Sequence, residues 1–164
     1  MLEKIISGGQ TGVDLAALDA AIDLNIAYGG WCPKGRINEM GVISEKYSFL
    51  KEISGTFNID KENYDTRTRC NILDSDATLI LVPKIPLPTK IRDGTLLTIQ
   101  EVQNKKPYLT VDLSRPLSEN IDILKNWYEK HNIKILNIAG PRESTCPGIY
   151  RDSVDFLIEA LPRL

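Results

Sequence analysis

Short apolar runs alternate with longer amphipathic segments along the whole chain, which is the rhythm of a strand–helix–strand repeat. The runs Lys4 to Ile6, Ala77 to Val82, Tyr108 to Val111 and Lys134 to Ile138 are predicted strands, with a weaker one at Ile26 to Tyr28. Several are continuously apolar, which suits strands buried on both faces of a parallel sheet. Helices are predicted over Asp14 to Leu24, Thr66 to Leu73, Thr95 to Asn104, Ser118 to His131 and Gly148 to Leu161. In the fourth, Ile121, Leu124, Trp127 and Tyr128 recur at helical spacing, so they face the core. This order predicts an α/β fold: one domain, residues 1–164, with a doubly wound, mostly parallel five-stranded sheet and helices on both faces. No repeat or low-complexity linker interrupts it. Pro83 to Pro88 is an irregular insertion after a strand end, and residues 30–62 form a long connection, rich in glycine and charge, to which no element is assigned.

The most informative stretch is Ser7-Gly8-Gly9-Gln10-Thr11-Gly12-Val13-Asp14, where the first strand stops at a glycine-rich loop that opens a helix. Glycines let backbone approach an oxyanion, and free N–H groups at a helix N-terminus favour negative charge. The spacing is neither the dinucleotide G-x-G-x-x-G nor the P-loop motif. A tight turn with Thr11 or Asp14 near the helix cap would also satisfy it. In an open parallel sheet ligands bind at the carboxyl ends of strands. Three more loops leave that edge: Gly29 to Arg36, the stretch from Val82 to Asp93-Gly94-Thr95, and Ala139 to Ser144. Their convergence points to an anionic, phosphate-bearing ligand. On the second predicted helix Tyr64, Arg67, Thr68 and Asn71 share a polar face suited to binding. The expected contacts are Gly8, Gly9, Gln10, Thr11 and Gly12; Trp31, Lys34 and Arg36; Arg67, Thr68 and Asn71; Gly94 and Thr95; and Gly140, Arg142, Glu143 and Ser144. Four of these have a second reading. Trp31 either stacks on a flat heterocycle or packs on its own loop, Lys34 and Arg36 contact phosphate or are solvated, and Arg142 binds the ligand or caps a carboxylate.

Composition narrows the class. A chain of 164 residues with 42% hydrophobic and 26% charged residues is an ordinary globular domain. A net charge of −2 gives no reason to expect nucleic acid or an anionic membrane as a partner. No apolar stretch approaches the roughly 20 residues of a membrane span, and the polar Gly8-Gly9-Gln10 loop comes too early for a signal peptide. Three cysteines suggest a reducing compartment, so the expected location is cytoplasmic. His131 is the single histidine and ends a helix, which excludes a His-based metal site and a Ser-His-Asp triad. Cys32 and Cys146 each precede proline in candidate loops, but two thiols make an incomplete zinc site, so no metal is assigned.

The blocks Ser7 to Asp14, Gly30 to Arg36, Tyr64 to Asn71, Ser75-Asp76-Ala77 and Ala139 to Ser144 together resemble the putative molybdenum carrier family over nearly the whole chain. The resemblance implies a Rossmann-like fold, shared with the lonely-guy phosphoribohydrolases and the putative lysine decarboxylases. It also implies a cytoplasmic homo-oligomer, a dimer by preference, that binds molybdenum cofactor, a pterin carrying a phosphate. Phosphoribohydrolase relatives pair an arginine, nine residues before Asp-Ala, with a glutamate three residues after Gly-Thr. Arg67 keeps the arginine, while Thr98 stands where the carboxylate should follow Gly94-Thr95, leaving Asp93 or Glu101 as substitutes. A binding or carrier protein for a phosphorylated heterocycle is therefore expected, with no catalytic residue assigned. A nucleotide hydrolase and a nucleotide sensor are the alternatives, and nothing in the sequence separates pterin from purine.

Overall fold

The computed structural model describes residues 1–103 and 105–164. Strand and helix alternate from the start: β1 (Lys4–Ile6), α1 (Val13–Asp23), β2 (Ala27–Cys32), β3 (Ile37–Asn38), β4 (Gly41–Val42), β5 (Leu50–Glu52), α2 (Asp60–Leu73), β6 (Ala77–Val82), α3 (Gly94–Val102), β7 (Tyr108–Asp112), α4 (Leu117–His131), β8 (Ile135–Ala139) and α5 (Ile149–Ala160). The main sheet runs β5-β2-β1-β8-β6-β7, and every strand pair in it is parallel. β3 and β4 form a separate antiparallel hairpin. Helix α1 packs on α5 and α5 on α4 over one face, while α2 and α3 pack together.

The expected architecture holds, but the sheet has six strands rather than five. The sixth, β5, is an edge strand whose sequence, Leu50-Lys51-Glu52, offers one buried residue and two exposed charges, so hydrophobic patterning gives it no signal. It lies with the β3–β4 hairpin inside the stretch to which no element was assigned. β2 also runs on to Cys32, through Gly29-Gly30, which read as a loop. Those glycines are strand residues because neighbours crowd them: a Cβ on Gly30 would stand 2.4 Å from the Ser7 carbonyl. α2 starts at Asp60 rather than Thr66, since its first turn is wholly polar and carries no hydrophobic period. The predicted end of the third helix, Asn104, lies outside the described residues; α3 ends at Val102.

β6 shows why continuous apolar runs mark central strands. All six of its residues are buried; Leu79 and Leu81 join the cluster under α1, α4 and α5, while Ile80 and Val82 face Ile72 of α2 and Val102 of α3. In α4, Ile121, Leu124 and Tyr128 are buried and Trp127 packs against the same core. A third cluster, Leu18, Cys32, Ile43, Tyr47 and Leu50, seats the hairpin and β5 against α1. Asp19 of α1 fixes this side, accepting from the Tyr47 hydroxyl at 2.9 Å and the Tyr150 hydroxyl at 2.6 Å.

Candidate functional site

β1 and β8 lie side by side at the centre of the sheet. From β1 the chain passes to β2 on one side, and from β6 to β7 on the other. The loops after β1 and β8 lead to α1 and α5 on one face, and a crevice lies at the carboxyl edge between these loops and α2 and α3 of the other face. Ser7 ties the two loops, its hydroxyl donating to the Ile138 carbonyl at 2.6 Å. Between the loops sits a buried ion pair: Arg67 of α2 donates from Nη1 to Asp14 Oδ2 of α1 at 2.7 Å. Gly8 makes the pair possible, because a Cβ there would stand 1.7 Å from Arg67 Nη1. Burial pushes the Asp14 carboxyl up from its ordinary value, against the opposing pull of the Arg67 charge and the Gln10 amide.

The crevice has two levels. A narrow inner cavity of about 20 Å³ is lined by Gln10, Asp14, Arg67, Thr98, Asn137 and Arg142, with Gly8, Thr68, Asn71, Gly94 and Gly140 on its walls. Arg67, Thr68, Asp93, Gly94 and Arg142 also border an outer cleft of about 540 Å³, completed by Tyr64, Leu96, Leu97 and Gln100. Among the described residues, three buried nitrogens of this inner wall have no hydrogen-bond partner: Gln10 Nε2, Arg67 Nε and Arg142 Nε. They come from three different elements. Arg142 also lies over the Tyr64 ring at 5.8 Å, and its Nε stands 3.9 Å from Asp93 Oδ2, beyond hydrogen-bond reach.

On the hairpin side of Arg142 the donors are filled from within the chain. Glu39, at the β3–β4 turn, accepts from the hydroxyls of Thr11 and Ser144 and, at 3.2 Å, from the Ser144 amide. Arg142 Nη1 lies 3.7 Å from the same carboxylate. Burial alone would raise the Glu39 carboxyl, but the Ser144 and Thr11 contacts outweigh it and hold it below its ordinary value of 4.5. Gly12 lies against this corner: the Val13 amide just beyond it donates to the Pro141 carbonyl at 3.2 Å. The α1 N-terminus is thus closed by the chain itself, not left open as the glycine loop suggested.

Several expected contacts do not reach the crevice. Trp31 donates its indole N–H to Asp74 at 2.6 Å and borders a different pocket with Phe49 and Lys51. Lys34 donates to the Gly55 carbonyl at 2.6 Å, and Arg36 to the Leu50 and Tyr47 carbonyls at 2.9 and 3.2 Å. Gly9 faces Ile43 and Leu50, and Thr95 is buried with its amide and hydroxyl on Asp93. Glu143 caps α5, accepting from the Gly148 and Tyr150 amides. Asn71 reaches the inner wall but spends both ends of its amide on Trp31 backbone, at 2.7 and 2.9 Å; Asn63 clamps Lys34 in the same way. Cys32 and Cys146 sit in separate core clusters. Among the described residues no three His, Cys, Asp or Glu side chains gather as metal ligands, and no helix is long and apolar enough to cross a membrane.

The carboxylate facing Arg67 is Asp14, not a substitute near Thr98. Glu101 is engaged outside by Arg69 and Lys105, Asp93 caps α3, and the Thr98 hydroxyl donates to Gly94. Asp14 stands in the first turn of α1, just after a Gly-Gly and a Thr-Gly, a signal present in the sequence but sought downstream of Arg67. Glu39 had no signal, since a lone acidic residue at a turn is unremarkable until its donors are seen.

A model of the circularly permutated YpsA SLOG family matches residues 5–161. No curated protein matches the chain. The crystal structure of the putative molybdenum carrier protein from Syntrophus aciditrophicus SB is similar, with a TM-score of 0.83 and 44% identity, covering 95% of this chain and 92% of that one. The chain belongs to the circularly permutated YpsA SLOG family and is a relative of that putative molybdenum carrier protein.

Proposed function

We propose that the protein binds and carries a phosphorylated heterocycle in the crevice between β1 and β8, with molybdenum cofactor as its ligand, in line with a relative called a putative molybdenum carrier protein. One observation carries the reading: Gln10 Nε2, Arg67 Nε and Arg142 Nε, on residues that line one cavity, are buried without a hydrogen-bond partner. Leaving a buried donor unpaired costs about 1–3 kcal/mol, and an anion rich in acceptors recovers that cost at three places together. The residues suit such a group. Arg67 and Arg142 supply charge to a phosphate, while Tyr64, Leu96 and Leu97 give the outer cleft an aromatic and apolar wall for a ring. The protein acts as a homo-oligomer in the cytoplasm. Calorimetric titration with nucleoside 5′-monophosphates, a phosphorylated pterin and their dephosphorylated forms tests the proposal. Binding that requires the phosphate supports it; equal affinity without phosphate defeats it.

A specific observation favours a second reading as a nucleotide hydrolase. Asp14, whose carboxyl burial raises, pairs with Arg67 at 2.7 Å beside the crevice. A carboxyl so placed suits proton transfer to a leaving base. Release of base from nucleoside 5′-monophosphates, abolished in Asp14→Asn, is its signature. No release by the unmodified protein removes it.

A further inference from the structure

We propose that the β3–β4 turn is a latch, in which the Glu39 carboxylate fills an oxyanion subsite built by Thr11, Ser144 and Arg142 that the ligand's phosphate takes by displacing it. This rests on the reading that the ligand carries a phosphate. The donor set is what an oxyanion requires: two hydroxyls, one backbone amide and a guanidinium, drawn from two separate loops, all aimed at one carboxylate. A glutamate at the tip of a hairpin needs none of these, because water would solvate it at no cost. The neighbouring tip residue Met40 is 82% exposed.

The hairpin is built to move. It pairs only two residues on each strand, joins no larger sheet, and is too small to be stable alone. Apart from Ile43 at its base, it is fastened to the glycine loop by polar contacts. Asn38 Nδ2 donates to the Gly9 carbonyl at 3.0 Å, and the Glu39 amide donates to Gln10 Oε1 at 3.0 Å. Gln10 joins the two halves of the site, since its oxygen holds the latch while its unpartnered Nε2 lines the inner cavity. Arg142 joins them a second time, with Nη1 on Glu39 and Nε without a hydrogen-bond partner. A phosphate that recruits these two groups therefore pulls at the same contacts that keep Glu39 down.

The test compares binding of inorganic phosphate and adenosine 5′-monophosphate to the wild-type protein, Glu39→Gln, and Glu39→Gln combined with Ser144→Ala, by titration calorimetry. Removing the competing charge should tighten phosphate binding at least tenfold, and deleting the Ser144 hydroxyl should reverse most of that gain. Phosphate binding that Glu39→Gln leaves unchanged or weakens overturns the latch while leaving the carrier reading intact. No phosphate-dependent binding by any of the three proteins overturns both. Amide exchange in the wild-type protein gives an answer that needs no variant: saturation with the monophosphate should speed exchange at Glu39 and slow it at Ser144. Binding with Glu39 protection unchanged contradicts the proposal.

Discussion

Two groups of hydrogen-bond donors meet at one sheet edge and differ in what completes them. On the α2 side, the cavity-lining residues Gln10, Arg67 and Arg142 each bury a nitrogen without a hydrogen-bond partner. On the hairpin side, Thr11, Ser144 and Arg142 are satisfied by Glu39. A folded chain rarely leaves buried donors unmatched, and the first group is where we propose that a ligand binds. The second is filled by a carboxylate of the chain itself. Within the α2 side the contrast repeats: Asn63 and Asn71 are saturated by β2 and the loop after it, whereas Arg67, between them on the same helix, keeps one nitrogen for the cavity.

The largest effect should come from breaking the buried pair. Arg67→Ala leaves the Asp14 carboxylate enclosed without its partner, and loss of one member of such a pair costs about 3–5 kcal/mol. Chemical denaturation should show this loss, and Arg67→Met with Asp14→Asn should lose less than Arg67→Ala alone. A larger loss in the double variant would mean that the pair is not the source of the effect.

Arg142→Ala should separate binding from folding. Its side chain is a quarter exposed, so stability should change little. Losing a charge-assisted contact of about 1.5–3 kcal/mol should weaken a phosphate-bearing ligand roughly ten- to hundredfold. Paired calorimetry and thermal melting measure the two quantities. Full affinity in the variant would place the ligand elsewhere.

Acid should loosen the hairpin side. Because the fold holds the Glu39 carboxyl below its ordinary value of 4.5, its contribution is present above that value and is lost as pH falls through the lowered one. Amide exchange at Ser144 should therefore accelerate as pH drops below about 4.5, beyond the intrinsic change in rate, in wild-type protein but not in Glu39→Gln. The smallest effect belongs to Lys34→Ala. That ammonium holds a carbonyl near the surface, away from the crevice, so stability should stay within about 0.5 kcal/mol and ligand affinity should not change. A measurable loss of affinity would return the Gly29 to Arg36 segment to the site.

The sequence carried the parts of the fold that hydrophobic burial dictates. β6 is visible as a continuous apolar run, and α4 because apolar residues recur at helical period. β5, the hairpin and the first turn of α2 are built from charges, glycines and asparagines. Their stability comes from partners distant in sequence, such as β2 for Leu50-Lys51-Glu52. The site divides in the same way. The glycine loop, Arg67 and Arg142 were legible because glycine beside a strand end and arginine on an otherwise neutral polar face have few structural uses. Lys34, Arg36 and Trp31 had the right chemistry in the wrong place, since each reaches a neighbouring carbonyl or carboxylate that only the folded chain brings near. Asp14 is missed because a partner carboxylate is sought downstream of Arg67, and Glu39 for the absence of any local pattern.

Native mass spectrometry of the protein, incubated with small-molecule extract from its own host, tests the central claim most directly. It should show one ligand per chain whose mass and fragments identify a phosphate-bearing heterocycle, and Arg142→Ala should lose that ligand while keeping its fold. A bare protein, or a bound ligand without phosphate, would contradict it.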